Sequence, residues 1–403
     1  MNFAKRILQI KPSPTLGITA LANDLKAKGV DVIGFGSGEP DFDTPKFIKD
    51  AAIRAIESGK TKYTPVGGIS ELKEAVVTKF KKDNNLSYEI SEITVNCGGK
   101  HSFYNLMQVL IDNKDEVIIP SPYWVSYPSM VLLAGGKPVI IDTSEDNSFK
   151  ITPEQLSKTI TSKTKAIVIN SPSNPTGAAY SRDELKNLAE ILVNKDIIII
   201  TDDIYESIVF DGFEFTNIAN ISDELKKKTI VLNGVSKKHS MTGWRIGYMA
   251  GDSSIIKKVE ILQSQSTSNP TSISQWASVA ALTGSVDEFD VMLDAFIRRR
   301  DFIVNGLNNI NGISCFKPNG AFYAFPRVDE IYKMKNWKMV NDRYDDEFKS
   351  SKLCSFLLEE AKVAVVPGIA FGNDNNLRMS FATSDENIKE GLKRIKEAVQ
   401  SLD

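Results

Sequence analysis

Short apolar runs rich in Val and Ile recur at residues 92–97, 116–119, 138–142, 166–170, 196–201, 229–233 and 246–250, and they restrict the fold more than any other feature. Their apolarity is continuous rather than alternating, as expected of strands covered on both faces in a mostly parallel sheet. Stretches such as 102–112 and 181–194 lie between them, open at polar residues and carry apolar positions at helical spacing. This alternation predicts an α/β fold with a mostly parallel central sheet flanked by helices. In such sheets the chemistry gathers beyond the carboxyl ends of the strands.

After about residue 290 the texture changes to a long polar helical stretch followed by strand-like runs at 321–325, 363–366 and 377–381. The expectation is a second, smaller α+β domain over 291–403 beside a large domain over 48–290. The polar segment 329–350, with its Lys333-to-Lys338 and Asp342-to-Asp346 charges, reads as an irregular surface insertion.

With 49 basic and 51 acidic residues among 403, the net charge of -2 offers no bulk attraction to nucleic acid or anionic membranes. Cys97, Cys315 and Cys354 have no metal-like spacing, and His101 and His239 are too few for a His-rich metal site. His239 reads as loop packing and His101 as part of a helix's first turn. No stretch approaches the roughly 18 apolar residues of a membrane span, and residues 1–11 lack a signal core. The expected compartment is the reducing cytoplasm.

Lys237 stands in Gly234-Val235-Ser236-Lys237-Lys238-His239-Ser240-Met241-Thr242-Gly243-Trp244-Arg245-Ile246-Gly247, directly after an apolar run. An amine there, with Arg245 downstream among small residues, suits a Schiff-base lysine beside an anion clamp. Pyridoxal phosphate requires that pair: an amine brought below its ordinary pKa of about 10.4 and a guanidinium fork for phosphate. Taken alone, Lys237 and Lys238 also read as two solvated charges. Asn96-Cys97-Gly98-Gly99-Lys100 follows a strand and opens a helix, so its backbone N–H groups can close around a phosphate or merely end the strand. Asp202, after the most apolar strand, is costly unless paired; a protonated pyridine nitrogen or a helix N-terminus would meet that need. Asn174 and Trp124 occupy loops that follow strands, and Arg378 is a lone arginine in an apolar strand that needs an anion or solvent.

The stretch from Gly234 to Gly247 resembles the attachment-site signature of class I aminotransferases, the aspartate aminotransferase family of fold type I pyridoxal phosphate enzymes. The resemblance runs from Lys11-Pro12-Ser13 to Leu377-Arg378-Met379-Ser380, with its motifs in the family's order. It implies pyridoxal 5'-phosphate held covalently by Lys237, with Asp202 on the pyridine nitrogen and Tyr205 donating to the ring phenolate oxygen. Gly99 and Lys100 would supply backbone donors to the phosphate, and Arg245 the charged contact. Ser236 would add a hydroxyl, although the family often places another serine where this chain has Gly234. Trp124 would stack on the ring, and Asn174 would reach both the phenolate oxygen and the substrate carboxylate. Arg378 and the Gly38 backbone N–H would hold the α-carboxylate. Tyr63 matches the tyrosine that reaches the neighbouring subunit's phosphate, which implies a homodimer with shared sites. The resemblance also assigns residues 1–47 to the smaller domain.

One subgroup reads the substrate's distal carboxylate with a partner-subunit arginine in the segment matching residues 263–270, but no arginine occurs here between Arg245 and Arg298. This chain instead resembles the bacterial subgroup, aspartate/prephenate aminotransferases among them, that uses a lysine and N-terminal hydroxyls, matched by Lys100, Ser13 and Thr15. The implied reaction moves an amino group between L-aspartate or L-glutamate and 2-oxoglutarate or oxaloacetate, with prephenate as a further acceptor. The scaffold also supports aromatic or alanine aminotransferases and β-lyases, and only a lyase would release pyruvate and ammonia without an acceptor. An idle regulatory cofactor-binder would lack a site residue, and none is missing.

Overall fold

The computed structural model describes residues 3–12, 14–285 and 287–403. All seven apolar runs form strands of one seven-stranded sheet. Its spatial order is Ile93–Asn96, Gly247–Ala250, Thr229–Gly234, Ile198–Asp202, Thr164–Asn170, Glu116–Ser121, Lys137–Asp142. Gly247–Ala250 runs antiparallel to both neighbours, and the other pairings are parallel. Along Thr229–Gly234, Ile230 and Leu232 enter a core with Phe103 and Met249, whereas Val231 enters the opposite core with Phe80 and Tyr248. Both faces are covered, so both alternating sets of residues are apolar. The edge strand Lys137–Asp142 buries only Ile141 and carries Lys137 and Asp142, charges that blunt an open edge.

The remaining core joins the C-terminal third to the start of the chain. Val366–Pro367, Leu377–Ser380 and Tyr323–Ala324 form a three-stranded antiparallel sheet. Ile33–Gly34 pairs in parallel with Val363–Ala364. Ile33 and Phe35 share one cluster with Phe296 and Ile303 of the helix Asp287–Asn308 and with Ile388 and Ile395 of the helix Asp385–Gln400. That first helix runs across residue 290, so the change of sequence texture there falls inside a continuous element.

Two local expectations change. Residues 329–350 are not irregular: they contain a short turn at Ile331–Lys333 and the helix Trp337–Arg343, with Ile331, Trp337 and Val340 buried. Trp337 and Val340, three positions apart on one helical face, are the anchors, and the surrounding charges mask them in composition. The helix expected from residue 102 begins earlier, as Gly99–Leu110, because Gly98 turns the chain at φ 91°. Ser102 is not its cap; its hydroxyl donates to Asn96 Oδ1 at 2.8 Å.

Candidate active site

The carboxyl ends of the parallel strands and the three-stranded sheet enclose a cleft of about 460 Å³. Lys237 enters it from the loop after Thr229–Gly234, and its Nζ donates to the Gly38 carbonyl at 2.5 Å. Burial is the main cause that brings its pKa down to about 8; Arg245 and Arg378 push the same way, and Glu39 opposes them. Roughly one lysine in ten is then a free amine at pH 7.

This shift has a sign that can be read in stability. Between about pH 8 and 10.5 the unfolded chain binds the Lys237 proton more tightly than the folded chain, so folded stability must rise with pH there. Cofactor-free protein should therefore gain stability relative to Lys237→Met across that window, and denaturant melts at its two ends would show it. A flat difference would mean that the amine is not held in a charge-disfavouring site.

Asp202 ends the Ile198–Asp202 strand and lines the cleft. The Tyr127 hydroxyl donates to Asp202 Oδ2 at 2.5 Å. Burial raises the Asp202 pKa, and the Tyr127 bond and the Lys237 charge counter it. Asp203 points away, accepting from Asn217 Nδ2 at 2.5 Å. Tyr205 follows in the next turn, with its ring centroid 5.8 Å from Lys237 Nζ.

Gly98 and Gly247 let two backbone segments converge beside Arg245. A Cβ on Gly98 would lie 2.3 Å from the Arg245 guanidinium, and one on Gly247 would lie 2.4 Å from the Gly98 carbonyl carbon. Arg245 Nη1 donates to the Thr242 carbonyl at 2.7 Å, which aims the fork beside the N-terminus of the Gly99–Leu110 helix. Gly99, Lys100, Ser236 and Arg245 all line the cleft. The missing serine at Gly234 also has a reason, since a Cβ there would sit 2.9 Å from the Ile246 carbonyl oxygen. Lys100 Nζ lies 5.1 Å from the Trp124 ring centroid, and burial, then Arg245, lowers its pKa.

Arg378 is 3% exposed and has no carboxylate partner among the described residues. Its Nη2 donates to the Gly36 carbonyl at 2.7 Å and its Nη1 to Asn174 Oδ1 at 3.2 Å. Its Nε has no protein acceptor. A buried, incompletely bonded guanidinium is a receptor for an anion.

The expected residues whose side chains are described line this cleft, except Tyr63, which the resemblance assigns to the neighbouring subunit's site. Tyr63 lies outside this cleft and is 93% exposed. Ser13 lies outside the described residues, as does the side chain of Thr15 in the helix Pro14–Ala27. The histidines stand apart from the cleft: His101 Nδ1 accepts from Cys97 N at 3.2 Å, and burial holds His239 down to about 3, hence neutral. Tyr127, Tyr323 and Glu39 were not expected at the site. Tyr127 and Tyr323 sit in apolar surroundings that read as core, whereas the carboxylate of Glu39, beside Gly38, accepts from Thr242 Oγ1 at 2.7 Å.

An amine of lowered pKa, a half-buried carboxylate, a glycine-pinched anion cradle and an unpaired arginine together define a site for amino-group chemistry on carboxylic acids. The sequence profile of the family described as "Aminotransferase class I and II" matches residues 30–395. The chain belongs to this family, and amino-group transfer is its activity. It is 52% identical to the aspartate aminotransferase of Bacillus subtilis (strain 168), over 99% of each chain. It is also 52% identical to the aspartate/prephenate aminotransferase of Nitrosomonas europaea, over 98% of this chain and 99% of that one. The crystal structure of the aspartate aminotransferase from Rhizobium meliloti superposes with a TM-score of 0.94 at 45% identity, covering 100% of both chains. That of the Thermus thermophilus aspartate aminotransferase with maleate gives 0.91 at 40% identity, covering 99% of this chain and 100% of that one.

Proposed function

We propose that this chain is a pyridoxal-phosphate-dependent aspartate aminotransferase that exchanges amino groups between L-aspartate or L-glutamate and 2-oxoglutarate or oxaloacetate, with prephenate as an additional acceptor. The observation that carries the reading is that Lys237, Asp202 and Arg378, far apart in sequence, line one cleft. The residues present fit the cofactor. The cradle at Gly98 would be filled by any side chain, Asp202 has an open face, and Arg378 Nε has no protein acceptor.

Bound through Lys237, pyridoxal phosphate supplies an aldehyde for amine exchange and a ring that stores the electron pair left when the α-proton departs. Gly99 and Lys100 backbone N–H groups, the Ser236 hydroxyl and Arg245 would hold its phosphate. Asp202, aligned by Tyr127, would keep a proton on the ring nitrogen, and Tyr205 and Asn174 would serve the ring oxygen. Trp124, which lines the cleft, would fix the ring plane. Arg378 and the Gly38 N–H orient the α-carboxylate, which places the α-proton within reach of Lys237. Lys237 Nζ would take up that proton and hold it for return, work that its pKa of about 8 suits.

Lys100, Ser13 and Thr15 are the residues we assign to the distal carboxylate. Lys100→Ala should raise KM for L-aspartate by roughly 10- to 100-fold while leaving L-alanine nearly unchanged. Equal effects on both would remove Lys100 from that role. The whole reading is tested by adding L-aspartate, L-glutamate, L-alanine and L-phenylalanine singly to cofactor-loaded protein. Bleaching of the visible band by the two acidic amino acids, restored by oxaloacetate or prephenate, is the expected result. Bleaching chiefly by alanine or phenylalanine would overturn the substrate assignment.

A homodimer with shared sites and a cytoplasmic location complete the reading. Solvent exposure of Tyr63, Ile53, Ile56 and Ile261 supports the dimer, because such side chains gain from a partner surface. Among the described residues no helix is long and apolar enough to cross a membrane. The division we propose is a large cofactor-binding domain over 48–290 and a smaller domain of 291–403 with 1–47, supported by the pairing of Ile33–Gly34 with Val363–Ala364.

A further inference from the structure

We propose that Tyr323 is a positioning residue that ties the carboxylate clamp to the ring-facing Tyr205 through a single hydroxyl–hydroxyl hydrogen bond; this rests on the reading of the cleft as a pyridoxal phosphate site. Tyr323 lies in the strand Tyr323–Ala324, paired opposite Ser380 on the strand that carries Arg378. Tyr205 lies in the turn that follows the large sheet's strand Ile198–Asp202. Their hydroxyl oxygens are 2.7 Å apart. The Arg378 guanidinium stacks 4.6 Å from the Tyr323 ring centroid, and a Cβ on Gly38 would sit 3.4 Å from the Tyr323 oxygen. One aromatic side chain therefore touches both groups assigned to the α-carboxylate and the hydroxyl assigned to the ring oxygen.

The direction of that bond follows from its surroundings. Burial is the first cause raising both phenols, so each keeps its hydrogen, and only one hydrogen can occupy the line between the oxygens. Arg378 lowers both phenols and is the leading opposing cause at Tyr323, whereas the Tyr323 hydroxyl and then Asp202 add to the rise at Tyr205, leaving Tyr323 the less raised of the two. Tyr323 is then the donor and Tyr205 the acceptor, and the Tyr205 hydrogen is free to point into the cleft. Both side chains are almost fully buried, at 0% and 3% exposure, so water does not replace a deleted hydroxyl. A donor that itself accepts a hydrogen bond loses strength when that bond is removed.

The test is a pH titration of the visible absorption band in cofactor-loaded wild type, Tyr323→Phe, Tyr205→Phe and the double variant, each with and without maleate, a dicarboxylate lacking an amino group. A hydrogen bond to the ring oxygen favours the deprotonated form of the Lys237 linkage, so Tyr205→Phe should raise the midpoint. Tyr323→Phe should raise it in the same direction by roughly 0.3 to 1 pH unit, the worth of one neutral hydrogen bond. It should add nothing on the Tyr205→Phe background. Maleate should move the midpoint less in Tyr205→Phe than in wild type, a comparison that needs no change at Tyr323. An unmoved midpoint in loaded Tyr323→Phe, additive effects in the double variant, or an undiminished maleate shift in Tyr205→Phe would overturn the proposal alone. A wild type that forms no visible band would overturn the cofactor reading and this proposal with it.

Discussion

Lys237→Ala is expected to lower kcat for transamination between L-aspartate and 2-oxoglutarate by at least about 10⁴-fold, because one side chain is assigned both the covalent anchor and the proton transfer. Its loop places the amine where little can substitute for it. Nζ is fixed at the Gly38 carbonyl, between the Tyr205 and Phe322 rings at 5.8 and 5.9 Å. The other lysine in the cleft, Lys100, is held over the Trp124 ring instead. The variant should still bind pyridoxal phosphate through the Arg245 cradle, with a spectrum lacking the Lys237-linked band. A stopped-flow measurement of the first half-reaction with L-aspartate isolates the chemical step. A rate within about 100-fold of wild type would take proton transfer away from Lys237.

Arg378→Lys is the second large effect. An ammonium cannot make two parallel bonds to a carboxylate, and this one would also lose the stack on Tyr323 and the bond from Nη1 to Asn174. The expected loss in kcat/KM is roughly 100-fold, the order of a broken, desolvated charge-assisted contact. Because every amino acid carries an α-carboxylate, the loss should be similar for L-aspartate, L-glutamate and L-alanine. That uniformity separates Arg378 from Lys100, whose removal should penalise only the acidic substrates. A loss confined to aspartate would exchange the two assignments.

The two variants probe residues of different legibility. Lys237 was visible because a reactive amine, an arginine and small residues sit within one loop, and local motifs survive in sequence. Asp202, Asn174 and Arg245 end, follow or precede strands at the sheet end where chemistry gathers, which marked them as candidates, while the resemblance gave them their roles. Tyr127 and Tyr323 were not. Tyr127 lies on a helix among core residues, and Tyr323 sits within the apolar run 321–325. Their hydroxyls matter only because folding brings Asp202 and Tyr205 to meet them. Trp337 shows the same limit in the fold, since its anchoring role depends on a core cluster that includes Leu353, Ala398 and Leu402, outside its own charged segment.

What the sequence by itself determined is the set of strands, their coverage on both faces and the loops that carry chemistry, because hydrophobic period and turn residues are local properties. What only the tertiary structure decided is which side chains face one another. The antiparallel insertion of Gly247–Ala250 between Ile93–Asn96 and Thr229–Gly234 brings Arg245 against Gly98. The packing of the three-stranded sheet on the large one brings Arg378 to Asn174 and Tyr323 to Tyr205. Those contacts span separations of up to 204 residues. Such partners are fixed by the closing of two buried surfaces on each other, a global condition that no short stretch of residues encodes.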